Sequence, residues 1–301
     1  MSPRLRILTL VWLTAAAAAA VVIGATLLQS ESSNASDASD LPEGNPPLVL
    51  DLGLRRDHEA RELGRGARLY QEGNTEAAAR VFSRYRSVDA RVGQALAGWP
   101  SGTLSQLQAL AAEQPRNGIV RLNLGFALFW SGRKDDALAA WRQTRQIAPD
   151  SLAAVRAGDL LYPRFASGLP VFELDRPRGA AGRHLLAGVR FQRLGRQLSA
   201  QREYDEAVRL APDDPQALAA AAVARFDKAN PSAAFSRLGP LAQRFPRAAT
   251  VRFHLGVLLL WIGQVDEAKT QLRRAKAIAP RDPLGREAAR FLTRLESIEN
   301  G

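Results

Sequence analysis

The stretch from Ala249 to Pro280, ATVRFHLGVLLLWIGQVDEAKTQLRRAKAIAP, decides the fold. Leu255-Gly256 and Leu259 fall at helical spacing and give a first helix one face of bulky and small side chains. Gly263 ends that helix, because glycine enters the left-handed conformation at no steric cost. Ala268, Leu272 and Ala275 then share one face of a second helix. Pro280 closes the unit, since proline cannot continue a helix interior. A step back of 34 residues meets the same columns: Pro246, Ala234, Leu238 and Ala222, and one step further Pro212, Ala200, Tyr204 and Gly188. A fixed period built of small, bulky and proline columns marks stacked helix–turn–helix units.

The pattern extends outward from there. The unit from Ala181 carries Ala187-Gly188, Phe191 and Gly195, whereas the one from Pro215 is looser, with Ala229 in place of the turn glycine. Upstream, Pro115 and Pro149 keep the same step around Leu124-Gly125, Leu128, Gly132, Ala137 and Trp141. Gly66, Leu69, Gly73, Ala78 and Phe82 form an earlier copy. Over Glu59 to Asp282 the chain resembles the tetratricopeptide repeat family. The resemblance implies an all-α helix–turn–helix solenoid over residues 55–282, about six repeats, with degenerate copies at 85–117 and 152–180. It also implies a surface for partners. It names no activity, because function lives in sites rather than folds.

Two places depart from the period. Residues 152–180 begin like a repeat, with Ala157-Gly158 and Leu161-Tyr162, but then run from Pro163 to Gly179 with Pro163, Pro170 and Pro177. Phe165, Leu169, Val171, Phe172 and Leu174 make that run too apolar for a solvated loop. It reads either as a decayed repeat patching the core, or as an extended arm in the solenoid's own groove or around a partner. The other departure is residues 283–298, where Leu284, Ala288, Phe291, Leu292 and Leu295 predict an amphipathic capping helix.

The N-terminus is different material. Residues 1–6 predict a short cytoplasmic tail, and Ile7 to Leu28 contains no charge. As a helix that run spans about 33 Å, enough for a bilayer core, and it predicts a single transmembrane anchor. A signal peptide cleaved near Ser33-Asn34-Ala35 is the alternative, which would leave a secreted protein. Arg4 and Arg6 precede the run and no basic residue follows before Arg55, which places the N-terminus in the cytoplasm and the solenoid outside the cell membrane. Residues 29–54, acidic and rich in Ser, Asn, Asp and Pro, predict a disordered tether.

The chain has 301 residues, a net charge of +11 and no cysteine, which excludes thiol chemistry and lipid attachment through cysteine. Arg190, Arg193 and Arg196 step by three as a candidate basic surface for anionic polymers or lipid head groups. A solenoid outside the membrane argues against nucleic acid as a ligand.

The sharper candidates lie on two first helices. Phe126, Phe129 and Trp130 share a face beyond the packing columns, and Phe253, Val257, Leu260 and Trp261 share the equivalent face. The family resemblance implies that these faces line the groove that receives partners. Their apolar character favours an apolar strand or an amphipathic helix. Against that, neighbouring repeats or segment 163–179 could bury them.

Catalysis has little to rest on. His58, His184 and His254 are isolated in the sequence and none has metal-ligand spacing. There is no phosphate loop, nucleophile elbow or cofactor motif. Asp135-Asp136, Asp213-Asp214 and Asp266-Glu267 sit at predicted helix starts, where carboxylates cap the backbone. The sequence therefore predicts no enzyme, cofactor or metal site, and instead a membrane-anchored adaptor or assembly factor with a protein partner. Self-association through the apolar faces and binding of anionic surfaces are the alternatives.

Overall fold

The computed structural model describes residues 42–299. The expected cytoplasmic tail, transmembrane helix and first half of the tether lie outside the described residues. Among those described, no helix is long and apolar enough to cross a membrane. All the regular structure described is helical, apart from one isolated bridge between Asp227 and Asn230.

The chain divides after Pro163 into two compact modules. The N-terminal module contains three helical hairpins: α1 (His58–Gln71) with α2 (Thr75–Phe82), α3 (Val88–Ala97) with α4 (Thr103–Glu113), and α5 (Gly118–Trp130) with α6 (Lys134–Ile147). A single helix, α7 (Leu152–Leu161), follows them. The C-terminal module repeats this plan with α8 (Gly179–Arg193) and α9 (Gln197–Leu210), α10 (Pro215–Val223) and α11 (Ser232–Arg244), α12 (Ala249–Trp261) and α13 (Val265–Ile278), and a last helix α14 (Pro283–Glu299).

The repeat columns have a direct packing cause. A Cβ on Gly188 would stand 2.3 Å from the Tyr204 ring, one on Gly125 would stand 2.2 Å from Trp141 Nε1, and one on Gly66 would stand 2.8 Å from the Phe82 ring. The small column on each first helix is thus the space filled by the bulky column of the second. The helix-to-helix turn at Gly195 (φ 71°) closes with Arg196 N–H donating to Phe191 O at 2.9 Å and Gly195 N–H to Gln192 O at 2.9 Å, a Schellman closure that the left-handed glycine permits. In the middle C-terminal hairpin, where Ala229 replaces that glycine, α10 stops early at Val223 and the connection runs through the Asp227–Asn230 bridge.

The weak stretch at 85–117 is a complete hairpin, α3 and α4. Its glycine packs backwards: a Cβ on Gly93 would stand 2.7 Å from Phe82 of the preceding hairpin. Thr103 Oγ1, fully buried, donates to Ala95 O at 2.8 Å across the turn. Both contacts lie off the 34-residue register. The acidic pairs stand at helix starts, with Asp214 capping α10 through Gln216 N–H and Asp135, Asp136, Asp266 and Glu267 in first turns.

Each module ends in an amphipathic helix. On α14, Leu284, Ala288, Leu292 and Leu295 are buried while Arg286, Arg290 and Arg294 are exposed. On α7, Ala153, Ala157 and Leu160 are buried. After α7 the expected second helix of a repeat does not form, and residues 162–178 run without helix.

Candidate functional site: two grooves, each holding an extended arm

The run 164–178 is an arm that lies across the first helices of its own module, the placement raised above as the groove-filling alternative. Three helices read its backbone. From α8, the Gln192 amide accepts from Phe172 N–H at 2.9 Å and donates to Pro170 O at 3.2 Å. From α12, His254 Nε2 accepts from Glu173 N–H at 2.9 Å. From α10, Gln216 Oε1 accepts from Asp175 N–H. At one end of the arm, buried Lys228 donates to Ala166 O, and at the other Arg176 pairs with Asp282 at 2.6 Å. Phe172 is fully buried, stacked on the His254 ring at 3.9 Å and tilted against Tyr204 at 6.0 Å.

The N-terminal module does the same with residues 46–52, which the sequence assigns to the tether. From α1, Tyr70 Oη donates to Pro46 O at 2.7 Å. From α5, Asn123 accepts from Val49 N–H at 3.0 Å and donates to Val49 O at 2.7 Å. From α3, Asp89 Oδ1 accepts from Asp51 N–H at 3.0 Å. Pro46 and Leu48 are buried and Leu50 is half-buried. These residues leave the acidic tether's character because their apolar side chains reach a core and their amides find partners. Both are needed for an extended segment to settle on a folded surface.

Each holding residue is placed by the hairpin that carries it. Tyr70 and Gln192 both stand one helical turn after the small residue, Gly66 and Gly188, that seats the hairpin's aromatic ring. Asn123 and His254 stand two residues before the small residues Gly125 and Gly256. Asp89 and Gln216 are each the second residue of their helix.

The polar groups are satisfied in ways that fix their states. Asn123 is fully buried and spends its second amide hydrogen on Ile119 O at 2.8 Å. Gln192 Oε1 also accepts from Tyr204 Oη at 2.7 Å. His254 is fully buried; Nδ1 donates to Thr250 O at 2.7 Å, so Nε2 is the bare acceptor for the arm. Burial pushes the His254 imidazole down to about 4, because a desolvated charge is costly. Burial also pushes the Asp89 carboxyl up; the bond from Asp51 N–H opposes that, the Asp51 and Glu59 charges add to it, and Arg55 opposes it.

The aromatic candidates are buried in the cores of their modules rather than standing at an open surface. Phe126 and Phe129 each meet Trp141 at 5.8 Å, and Trp130 is buried beside both phenylalanines with its indole N–H unpaired. Phe253 packs edge-on to Phe291 of α14 at 5.9 Å. Leu260 is buried and Val257 half-buried. Trp261 sits against Phe226 at 5.6 Å, with Lys228 Nζ 5.7 Å from its ring. Arg190 and Arg193 are exposed in the last turn of α8, while Arg196 lies past Gly195 at the start of α9, so the three do not share one helix. His184 pairs with Glu203 at 2.8 Å and His58 meets Tyr85 edge-on at 6.5 Å.

Sequence reasoning missed the six holding side chains, and a signal for them was present. Gly44-Asn45-Pro46-Pro47-Leu48-Val49-Leu50-Asp51 and Gly168-Leu169-Pro170-Val171-Phe172-Glu173-Leu174-Asp175 share Gly, Pro, Leu and Asp in the same places. Gly44 and Gly168 both have positive φ, 80° and 77°.

Residues 120–151 and 225–290 match models of the tetratricopeptide repeat, so the chain carries tetratricopeptide repeats. No curated protein matches it. Among solved structures it is similar to the TPR2AB domain of yeast Sti1 in a pHSP90 complex, at 13% identity over 79% of this chain and 98% of that one, with a TM-score of 0.32. It is also similar to TTC0263, a thermophilic TPR protein of Thermus thermophilus, at 20% identity over 78% and 99% of the two chains, TM-score 0.27. A third is pilF of Pseudomonas aeruginosa, at 18% identity over 76% and 95%, TM-score 0.27.

Proposed function

We propose that the chain is a membrane-anchored adaptor whose two repeat modules hold a protein partner outside the cytoplasmic membrane. The repeat fold is one of protein–protein interaction, which supports the coarser part of this reading. The observation that carries the rest is the reading of an extended backbone by side chains from three successive first helices, in both modules. A surface built this way suits an extended segment, so an apolar strand fits better than an amphipathic helix. The uncharged run Ile7 to Leu28 with its basic flank supports the anchor and the orientation.

The test uses the full chain in native membranes with a photo-crosslinking residue at exposed Glu173 or exposed Asp51, and at exposed Arg142 on α6 as the control. A partner crosslinked from the arm positions and not from Arg142 is expected. Equal crosslinking from all three, or none, contradicts the adaptor reading. Release of the chain by alkaline carbonate would contradict the anchor.

A further inference from the structure

The two arms share a sequence and a binding register, and the shared positions each have a physical role. The glycine takes the left-handed bend that starts the arm (φ 80° and 77°). The proline has a preset φ and no N–H to satisfy, and its carbonyl is the first group read, by Tyr70 or by Gln192. The fifth residue, Leu48 or Phe172, is buried. The sixth, Val49 or Glu173, is read through its backbone in both grooves, Val49 by its N–H and C=O at Asn123 and Glu173 by its N–H at His254, which explains how an apolar and a charged side chain stand at one position. The aspartate N–H meets Asp89 or Gln216. What the grooves recognise is therefore the pattern Gly-x-Pro-x-Leu/Phe-x-Leu-Asp in extended form.

The two arms differ in how firmly they are fixed. The C-terminal arm is pinned at both ends, by Lys228 and by Arg176 with Asp282. In the N-terminal groove, Glu43, Gly44 and Asn45 upstream are exposed, and exposed residues 53–57 lead downstream to α1. Its last reading group is a carboxylate, Asp89, which accepts from Asp51 N–H but lies among the like charges of Asp51 and Glu59, offset in part by Arg55. Like charges at close range weaken the seating of an acidic segment.

We propose that the N-terminal groove is an exchangeable site, in which an extended Gly-x-Pro-x-Leu/Phe-x-Leu segment of a second polypeptide replaces residues 44–51. This rests on the reading of the grooves as partner sites and names the chemistry of the partner. A segment ending in an uncharged or basic residue instead of aspartate fits Asp89 and Glu59 best. The resident arm acts as an intramolecular competitor at high effective concentration, so that only a segment with this pattern displaces it.

The probe is a fluorescein-labelled peptide of residues 165–176, the other arm, titrated into the full chain and followed by anisotropy. Binding to the unchanged chain is expected, at least about tenfold tighter binding to Leu48→Asp, whose own arm is unseated, and at least about tenfold loss when Asn123→Ala is added. Val49→Pro, which removes the N–H that Asn123 accepts, serves as a second unseated variant should Leu48→Asp lose helicity. No binding to a folded unseated variant overturns the motif. Binding to the variant but none to the unchanged chain, at concentrations that saturate the variant, overturns exchange. Binding indifferent to Asn123→Ala overturns the site. Since neither membrane nor natural partner enters this titration, its outcome is separate from that of the photo-crosslinking.

Discussion

In the N-terminal groove the arm is held by Tyr70, Asp89 and Asn123, whereas Gln192, Gln216 and His254 stand at the corresponding places in the C-terminal one. The backbone positions read are alike, and the chemistry reading them is not. The C-terminal set is uncharged, closes on a fully buried aromatic ring and stacks that ring on an imidazole. The N-terminal set ends in a carboxylate and closes on a leucine that keeps 8% of its surface exposed. A common register can therefore serve two purposes: one arm is part of its module's core, and the other, on the proposal above, is a displaceable segment that shares the chain.

The largest difference between the two should appear in the buried fifth position. Phe172→Ala is expected to destabilise the C-terminal module by about 3–5 kcal/mol, and Leu48→Ala the N-terminal one by about 2 kcal/mol, measured by urea unfolding. Equal costs would break the contrast between core and ligand.

Acid should separate the modules next. His254 is held neutral in the fold at about 4, against an ordinary value of 6.5. The unfolded chain thus takes up the proton first, and stability is whole above about pH 6.5 and falls as pH drops toward 4. The loss across that window is about 3 kcal/mol, and protonated Nε2 would face the Glu173 N–H it now accepts. Asn123 does not titrate. Urea midpoints at pH 7 and pH 4.5 should therefore shift in the C-terminal module, and His254→Asn should flatten that slope. A slope unchanged by His254→Asn would assign the acid sensitivity elsewhere.

Asn123→Ala leaves Val49 N–H and C=O without their partner and should cost about 1–3 kcal/mol, with faster amide exchange at Val49 and none of the effect at Glu173. The smallest expected effect is a gain. Asp89→Asn keeps an acceptor for Asp51 N–H while removing a charge near Asp51 and Glu59, and should stabilise the N-terminal module by less than about 1 kcal/mol. A loss instead would mean that the charge-assisted bond outweighs the repulsion.

The hairpins were legible because their cause is periodic: a small residue meets a bulky one sixteen positions later, as Gly188 meets Tyr204 and Gly125 meets Trp141. Hairpin α3/α4 was faint because Gly93 packs against Phe82 of its neighbour and leaves the period. The arms were half-legible. The apolar run at 163–179 announced a buried segment, but Pro46 to Asp51 was masked by the acidic, serine-rich stretch before it. The holding side chains were hidden for another reason. Asn123, Gln192 and His254 are single polar residues on apolar helices, and only their partners, 74, 20 and 81 residues away, give them a role. His254 alone in the sequence looks structural; under the arm it is the acceptor that fixes Glu173.

Hydrogen–deuterium exchange on the full chain tests the central claim, that each module's groove is filled by its own extended arm. The amides of Val49, Asp51, Phe172, Glu173 and Asp175 are expected to exchange far more slowly than those of exposed residues 53–57, with the N-terminal arm the less protected of the two. Exchange of both arms as fast as residues 53–57 would contradict that claim.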